Sequence, residues 1–129
     1  MVGVTKVLLV EDDFDARGAM ADILRDAGYD VAEAGAGRMA MQQATTVLPD
    51  IVLLDLMLPD TPGTTLLCDL RALPGAEGLP AVAVSGFPEG RRVDGDGAVS
   101  VHFNAYLEKP FSSAALLQVV ATTLGVAAE

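Results

Sequence analysis

Three short stretches of this chain, Val7 to Val10, Ile51 to Leu54 and Ala81 to Val84, are apolar at every position. A strand with one wet face alternates apolar and polar residues. A strand buried on both faces need not, and such strands occur in parallel sheets covered by helices on either side. Asp30 to Ala34 and Ala105 to Leu107 are less uniform but have strand-like length and composition, which gives five candidate strands.

The segments between them have helical spacing. Ala16, Ala19, Met20, Ile23, Leu24 and Ala27 keep a three–four rhythm, with Asp13 placed to cap the start and Gly28 to stop the end. Arg38 to Val47 carries Met39, Met41, Ala44 and Val47 and stops before Pro49. Leu66, Leu67, Leu70 and Leu73 mark a third helix, closed by Pro74 and Gly75. Ser112 leads into Leu116, Leu117, Val119, Val120, Thr123 and Leu124, with Gly125 as the stop. Strand–helix alternation at this length predicts a doubly wound α/β domain with a five-stranded parallel sheet. Right-handed crossovers then favour the strand order 2-1-3-4-5 of flavodoxin-like folds. Residues 88–97 hold three glycines and little apolar periodicity, so the fourth helix is expected to be irregular.

With 129 residues, one domain spanning 1–129 is expected. The 18 acidic residues outnumber 8 basic ones, for a net charge of −10, and phosphate backbones repel such a surface. Direct nucleic-acid binding is therefore not expected. No apolar run reaches the ~18 residues of a membrane span. The apolar start runs directly into Glu11, Asp12 and Asp13, which reads as a first strand and not as a signal peptide. The single cysteine, Cys68, suits a reducing cytoplasm, and its leucine-lined helix suggests a core position. His102 is the only histidine, so histidine-based metal clusters and catalytic triads are excluded. Gly35 to Ala40 matches Gly-x-Gly-x-x-Ala, but it follows the second strand and lacks the rest of a dinucleotide fingerprint, so it reads as a loop.

In doubly wound sheets, ligands bind beyond the carboxyl ends of the strands. Those ends here carry Glu11, Asp12 and Asp13 after the first strand, Asp55 at the third, Ser85 at the fourth, and Glu108, Lys109 and Pro110 at the fifth. Two carboxylates ~4 Å apart repel by roughly 4 kcal/mol at an effective dielectric of ~20, so such a cluster needs a counter-ion. An all-oxygen site that also meets phosphate suits Mg2+. A phosphoryl group on Asp55 would then be stabilised by Mg2+, by Lys109 and by the Ser85 hydroxyl. Asp13 also suits a helix cap, as does Asp12 less well.

Four segments together resemble the receiver domains of two-component response regulators: Val7 to Asp12, Leu53 to Pro59, Ser85-Gly86-Phe87 and Tyr106 to Phe111. The resemblance covers nearly the whole chain. It implies that Asp55 is the phosphoacceptor and that Glu11, Asp12, Asp55 and the backbone carbonyl of Met57 hold Mg2+. It implies that Ser85 and Lys109 contact the phosphoryl group, that the Lys109–Pro110 peptide is cis, and that Ser85 and Tyr106 move together as a switch. Gly63 falls where the family has a glycine after the third strand. The implied donor is a histidine kinase or a histidine phosphotransfer protein, and the implied chemistry is confined to self-phosphorylation and autodephosphorylation. The downstream target is not implied, and a weak homodimer is left open. The run Phe103 to Leu107 with Ser85-Gly86-Phe87 looks more like receivers attached to hybrid sensor kinases than like those with a small-residue turn before the fifth strand. Bulky Met57 and Phe87, two residues after Asp55 and Ser85, suggest slow loss of the phosphoryl group. Phosphatases of the haloacid-dehalogenase type also use a strand-end aspartate, but they place a second one two residues on, where this chain has Met57.

Overall fold

The fold is described from a computed structural model, which covers residues 3–86 and 103–125. Five strands run β1 (Lys6–Val10), β2 (Asp30–Ala34), β3 (Ile51–Asp55), β4 (Ala81–Ser85) and β5 (Ala105–Glu108). Four helices lie among the described residues: α1 (Phe14–Asp26), α2 (Gly37–Thr46), α3 (Gly63–Arg71) and α4 (Ser113–Leu124). All strand pairs are parallel and the order is β2-β1-β3-β4-β5. The expected irregular fourth helix falls on residues 88–100, outside the described residues.

The unbroken apolar runs have the predicted cause. Side chains alternate across a strand, and here both faces are covered. Val7, Leu9, Ile51, Leu53, Val82 and Val84 pack with Met20, Ala21 and Leu24 of α1 and Leu116 and Val120 of α4. Leu8, Val10, Val52, Leu54 and Ala81 pack with Ala40 and Ala44 of α2 and Leu66, Leu67 and Leu70 of α3. Every residue of β3 and β4 is buried, which puts the strand-end groups Asp55 and Ser85 at the rim of a rigid slab.

The helix ends follow local chemistry. Asp13 caps α1, accepting from the amides of Asp15 at 3.0 Å and Ala16 at 3.3 Å. Ser112 caps α4 by accepting from Ala115 N at 3.0 Å, and Gly125 closes it in the left-handed conformation at φ 75°. The residue preceding α2 is Ala36, which has no capping side chain. Asp60 does that work from the β3–α3 loop, accepting from Gly37 N at 2.8 Å and Arg38 N at 3.0 Å.

Two details depart from the sequence reading. Cys68 is exposed, not core. α3 turns Gly63, Thr64, Leu66, Leu67 and Leu70 inward, and position 68 falls on the opposite side of that wheel. On α2 the buried residues are Gly37, Ala40 and Ala44, while Met39 and Val47 are exposed. The small residues let α2 lie close to the sheet, so the larger side chains are left at the edge.

Candidate functional site

The carboxyl ends of β1, β3, β4 and β5 bring the anticipated groups to one rim. Glu11 leaves β1 with its amide bonded to Ala34 O at 3.0 Å, and only 2% of it is exposed. Asp12 follows it and is exposed. Carboxylate oxygens of Glu11, Asp12 and Asp55 all lie within 4.8 Å of one another. Charges at that spacing repel by about 3.5 kcal/mol per pair at an effective dielectric of ~20. Lys109 offsets part of this: its Nζ lies 2.8 Å from Glu11 Oε1 and 3.1 Å from Asp55 Oδ2.

The remaining oxygens are also held. Asp55 Oδ1 accepts from the Met57 amide at 2.9 Å, and Glu11 Oε2 accepts from the Asp13 amide at 3.1 Å. Burial pushes the Glu11 carboxyl above its ordinary range, and the Asp55 charge adds to that, while the bonds from Lys109 and the Asp13 amide oppose it. Burial alone would lower the Lys109 ammonium, but the bonds and charges of Glu11 and Asp55 outweigh it and hold the group above its ordinary value.

Ser85 ends β4, is buried, and follows Val84, the register partner of Asp55. Its carbonyl accepts from the Lys109 amide at 2.8 Å, which ties the β4 and β5 ends together. The Lys109–Pro110 peptide is cis. Tyr106 is half-buried on β5, with its ring 5.8 Å from that of Phe103. Met57 is exposed on the rim, and the turn it opens is closed by a bridge to Pro62. Phe87 and His102 lie outside the described residues.

The donor set suits Mg2+. It is oxygen only, it is anionic, and each carboxylate oxygen that already accepts one hydrogen bond keeps another lone pair.

Three contributors escaped the sequence reading. Arg17 donates from Nη1 to the Glu11 carbonyl at 2.7 Å. Asp60 ties the β3–α3 loop to α2. Asn104 Oδ1 accepts from Ala81 N at 2.8 Å and from Arg71 Nη2 at 3.2 Å, fixing the start of β5 against β4 and α3. Of these, only Arg17 leaves a faint trace in the sequence: it is a cation near the start of α1, where the positive helix end disfavours one.

A doubly wound α/β domain with an acid cluster and a lysine at the strand ends defines a class, and the comparisons narrow it. The model of the response regulator receiver domain family matches residues 7–121. The probable transcriptional regulatory protein SilR of Salmonella typhimurium is 34% identical over 120 residues, covering 92% of this chain and 50% of SilR. The chain thus spans half the length of that relative. The chemotaxis response regulator CheY4 of Vibrio cholerae superposes with a TM-score of 0.85 at 26% identity, covering 94% of this chain and 99% of CheY4. The receiver domain of the sensor histidine kinase PA1611 of Pseudomonas aeruginosa PAO1 has a TM-score of 0.81 at 27% identity, over 95% of this chain and 99% of that domain. That structure has a magnesium ion coordinated in its active-site cleft. This chain belongs to the response regulator receiver domain family. The general function of such domains is phosphoryl acceptance in two-component signalling.

Proposed function

We propose that Asp55 is the phosphoacceptor of this receiver and that Glu11, Asp12, Asp55 and the Met57 carbonyl hold Mg2+. The observation that carries this reading is the single ammonium of Lys109, bonded at 2.8 Å and 3.1 Å to two carboxylates of a three-carboxylate cluster. The donor is a phosphohistidine on a histidine kinase or a histidine phosphotransfer protein. One Asp55 oxygen attacks phosphorus as the phosphorus–nitrogen bond breaks, and the electron pair leaves with the imidazole. Mg2+, when bound, offsets charge on the phosphoryl oxygens. Lys109 offsets the same charge from the other side, Ser85 donates its hydroxyl, and the Met57 amide holds the second Asp55 oxygen.

The chemistry ends on the protein itself, so the domain acts as a switch and not as a turnover enzyme. Ser85 and Tyr106 carry the change to a protein-binding surface. The acidic surface favours protein partners over nucleic acid. The setting is the cytoplasm, where Cys68 stays reduced. Exposed Met57 beside Asp55 slows approach of hydrolytic water, so the phosphorylated form is long-lived.

Incubation with acetyl phosphate or beryllofluoride and Mg2+ tests the reading. With acetyl phosphate and Mg2+ the wild type gains one phosphoryl mass, with beryllofluoride and Mg2+ it shows NMR shifts around Asp55, and Asp55→Ala does neither. A wild type that stays unmodified and unshifted, or an Asp55→Ala variant that is modified equally well, overturns the assignment.

A further inference from the structure

Arg17 is unused by the chemistry above, yet it is only 15% exposed and is held on several sides. Its Nη1 donates to the Glu11 carbonyl at 2.7 Å, and its Nε bonds Glu33 Oε1 at 3.3 Å. The guanidinium carbon sits 5.5 Å from the centre of the ring of Phe14, an exposed side chain that it stacks over. A methyl group at Gly35 would come within 3.0 Å of Nη1, so the missing side chain there leaves the guanidinium its room.

The bonded carbonyl belongs to the peptide that joins Glu11 to Asp12. The amide of Glu11 is bonded to Ala34 O at 3.0 Å, so β2 fixes the strand just before this peptide and Arg17 fixes the peptide itself. Among the described residues the Asp12 carboxylate makes no hydrogen bond, so no other side chain holds it and the peptide that carries it sets the region it can reach. From this geometry we infer that Arg17 is a positioning residue, locking the Glu11–Asp12 turn so that both carboxylates face one Mg2+. The inference rests on the metal reading given above.

A cation near a metal site also repels the metal, which would act the other way. Here Glu33, which also pairs with Arg25 at 3.1 Å, offsets part of the Arg17 charge, and the Mg2+ affinity of the variants below reads which of the two effects is larger. Groups that orient metal ligands without touching the metal typically set affinity by about 10–100-fold.

The test is a Mg2+ titration of the folded protein followed by amide NMR, comparing wild type, Arg17→Met and Arg17→Lys. Methionine keeps the apolar stem under Phe14 and loses both donors; lysine keeps the charge but cannot span both acceptors. The expected result is roughly tenfold weaker Mg2+ binding in Arg17→Met, with Arg17→Lys between it and wild type. The dispersed spectrum reports folding independently, and a purely structural role would lower stability while leaving the Mg2+ Kd alone. A wild-type or tighter Kd in Arg17→Met overturns the inference. If that variant does not fold, Arg17→Lys decides, and a wild-type Kd overturns it. A wild type that binds no Mg2+ overturns the metal reading itself, a result distinct from equal binding by all three proteins.

Discussion

The carboxylate of Asp60 lies across the amino end of α2 and accepts from Gly37 N at 2.8 Å, 23 residues away in sequence. A helix whose own preceding residue is Ala36 is thereby capped from the loop that follows Asp55. The bonds from Gly37 and Arg38 hold the Asp60 carboxyl below its ordinary value of 3.8. A depressed carboxyl stabilises the folded state above its unfolded value and loses that effect as pH falls through the folded value. Asp60→Ala is therefore expected to melt lower than wild type near neutral pH. The gap should close as pH falls well below 3.8. Melting curves across that range check this, and a gap that persists at the acid end rules out the charged cap as its source.

Gly63 and Gly18 should respond to alanine with opposite signs. A methyl group at Gly63 would lie 2.7 Å from Leu54 Cδ1, 2.8 Å from the Asp55 carbonyl oxygen and 2.9 Å from Leu56 Cα. Two of those neighbours are backbone and cannot turn aside. Gly63→Ala is expected to lower stability by about 2–3 kcal/mol, the upper part of the range for overpacking. Gly18 sits inside α1 with nothing within 4 Å of an added methyl. Gly18→Ala should raise stability by roughly 0.5–1 kcal/mol, through helix propensity alone. Urea unfolding midpoints of the two variants decide both.

These positions show what the sequence makes legible. Leu53 and Leu54 face opposite layers, and their adjacency alone signals a strand covered twice. Glu11, Asp55 and Lys109 are readable as a site because Glu11 and Asp55 directly follow apolar runs, Lys109 stands two residues after one, and the topology sends those ends to one rim. On α1 the three–four rhythm takes in Ala19, which is exposed, and passes over Ala21, which is fully buried, because a lone methyl group fits either side of a helix. Cys68 was placed inside by its leucine neighbours, although Leu67 and Leu70 turn away from it on the wheel. Asp60, Asn104 and Arg17 act through contacts with backbone groups of other elements. No periodicity records such contacts, because the partner's position exists only after the strands are paired.

Lys109 and Mg2+ are expected to compete for the same carboxylates. Lys109 Nζ bonds Glu11 Oε1 and Asp55 Oδ2, two of the oxygens offered to the cation. Removing its charge in Lys109→Met takes a like charge from beside the cation. A relief of only ~1.4 kcal/mol corresponds to a tenfold change in affinity, a modest amount for charges a few ångströms apart at an effective dielectric of ~20. The variant should bind Mg2+ on the order of tenfold more tightly while accepting phosphoryl groups far more slowly. Metal titration by calorimetry, paired with an acetyl phosphate time course, separates the two effects. Weaker metal binding would mean that Lys109 organises the carboxylates more than it competes for them.

Among the described residues β2 is an edge strand, paired only with β1. Asp30 donates to Thr5 and Ala34 accepts from Glu11, so alternate residues of β2 face β1 and the carbonyls of Val31 and Glu33 face outward. Open acceptors on an edge invite pairing with another chain. Here two side chains fill them: Arg25 Nη2 donates to Val31 O at 2.9 Å and Gln43 Nε2 to Glu33 O at 2.5 Å. One comes from α1 and the other from α2, so the edge is guarded from both faces of the sheet. The double variant Arg25→Ala with Gln43→Ala is expected to self-associate as concentration rises, under conditions where wild type and the single variants do so much less. Light scattering coupled to size exclusion measures this directly. A double variant that behaves like wild type at every concentration would leave the carbonyls satisfied by water and the side chains without a guarding role.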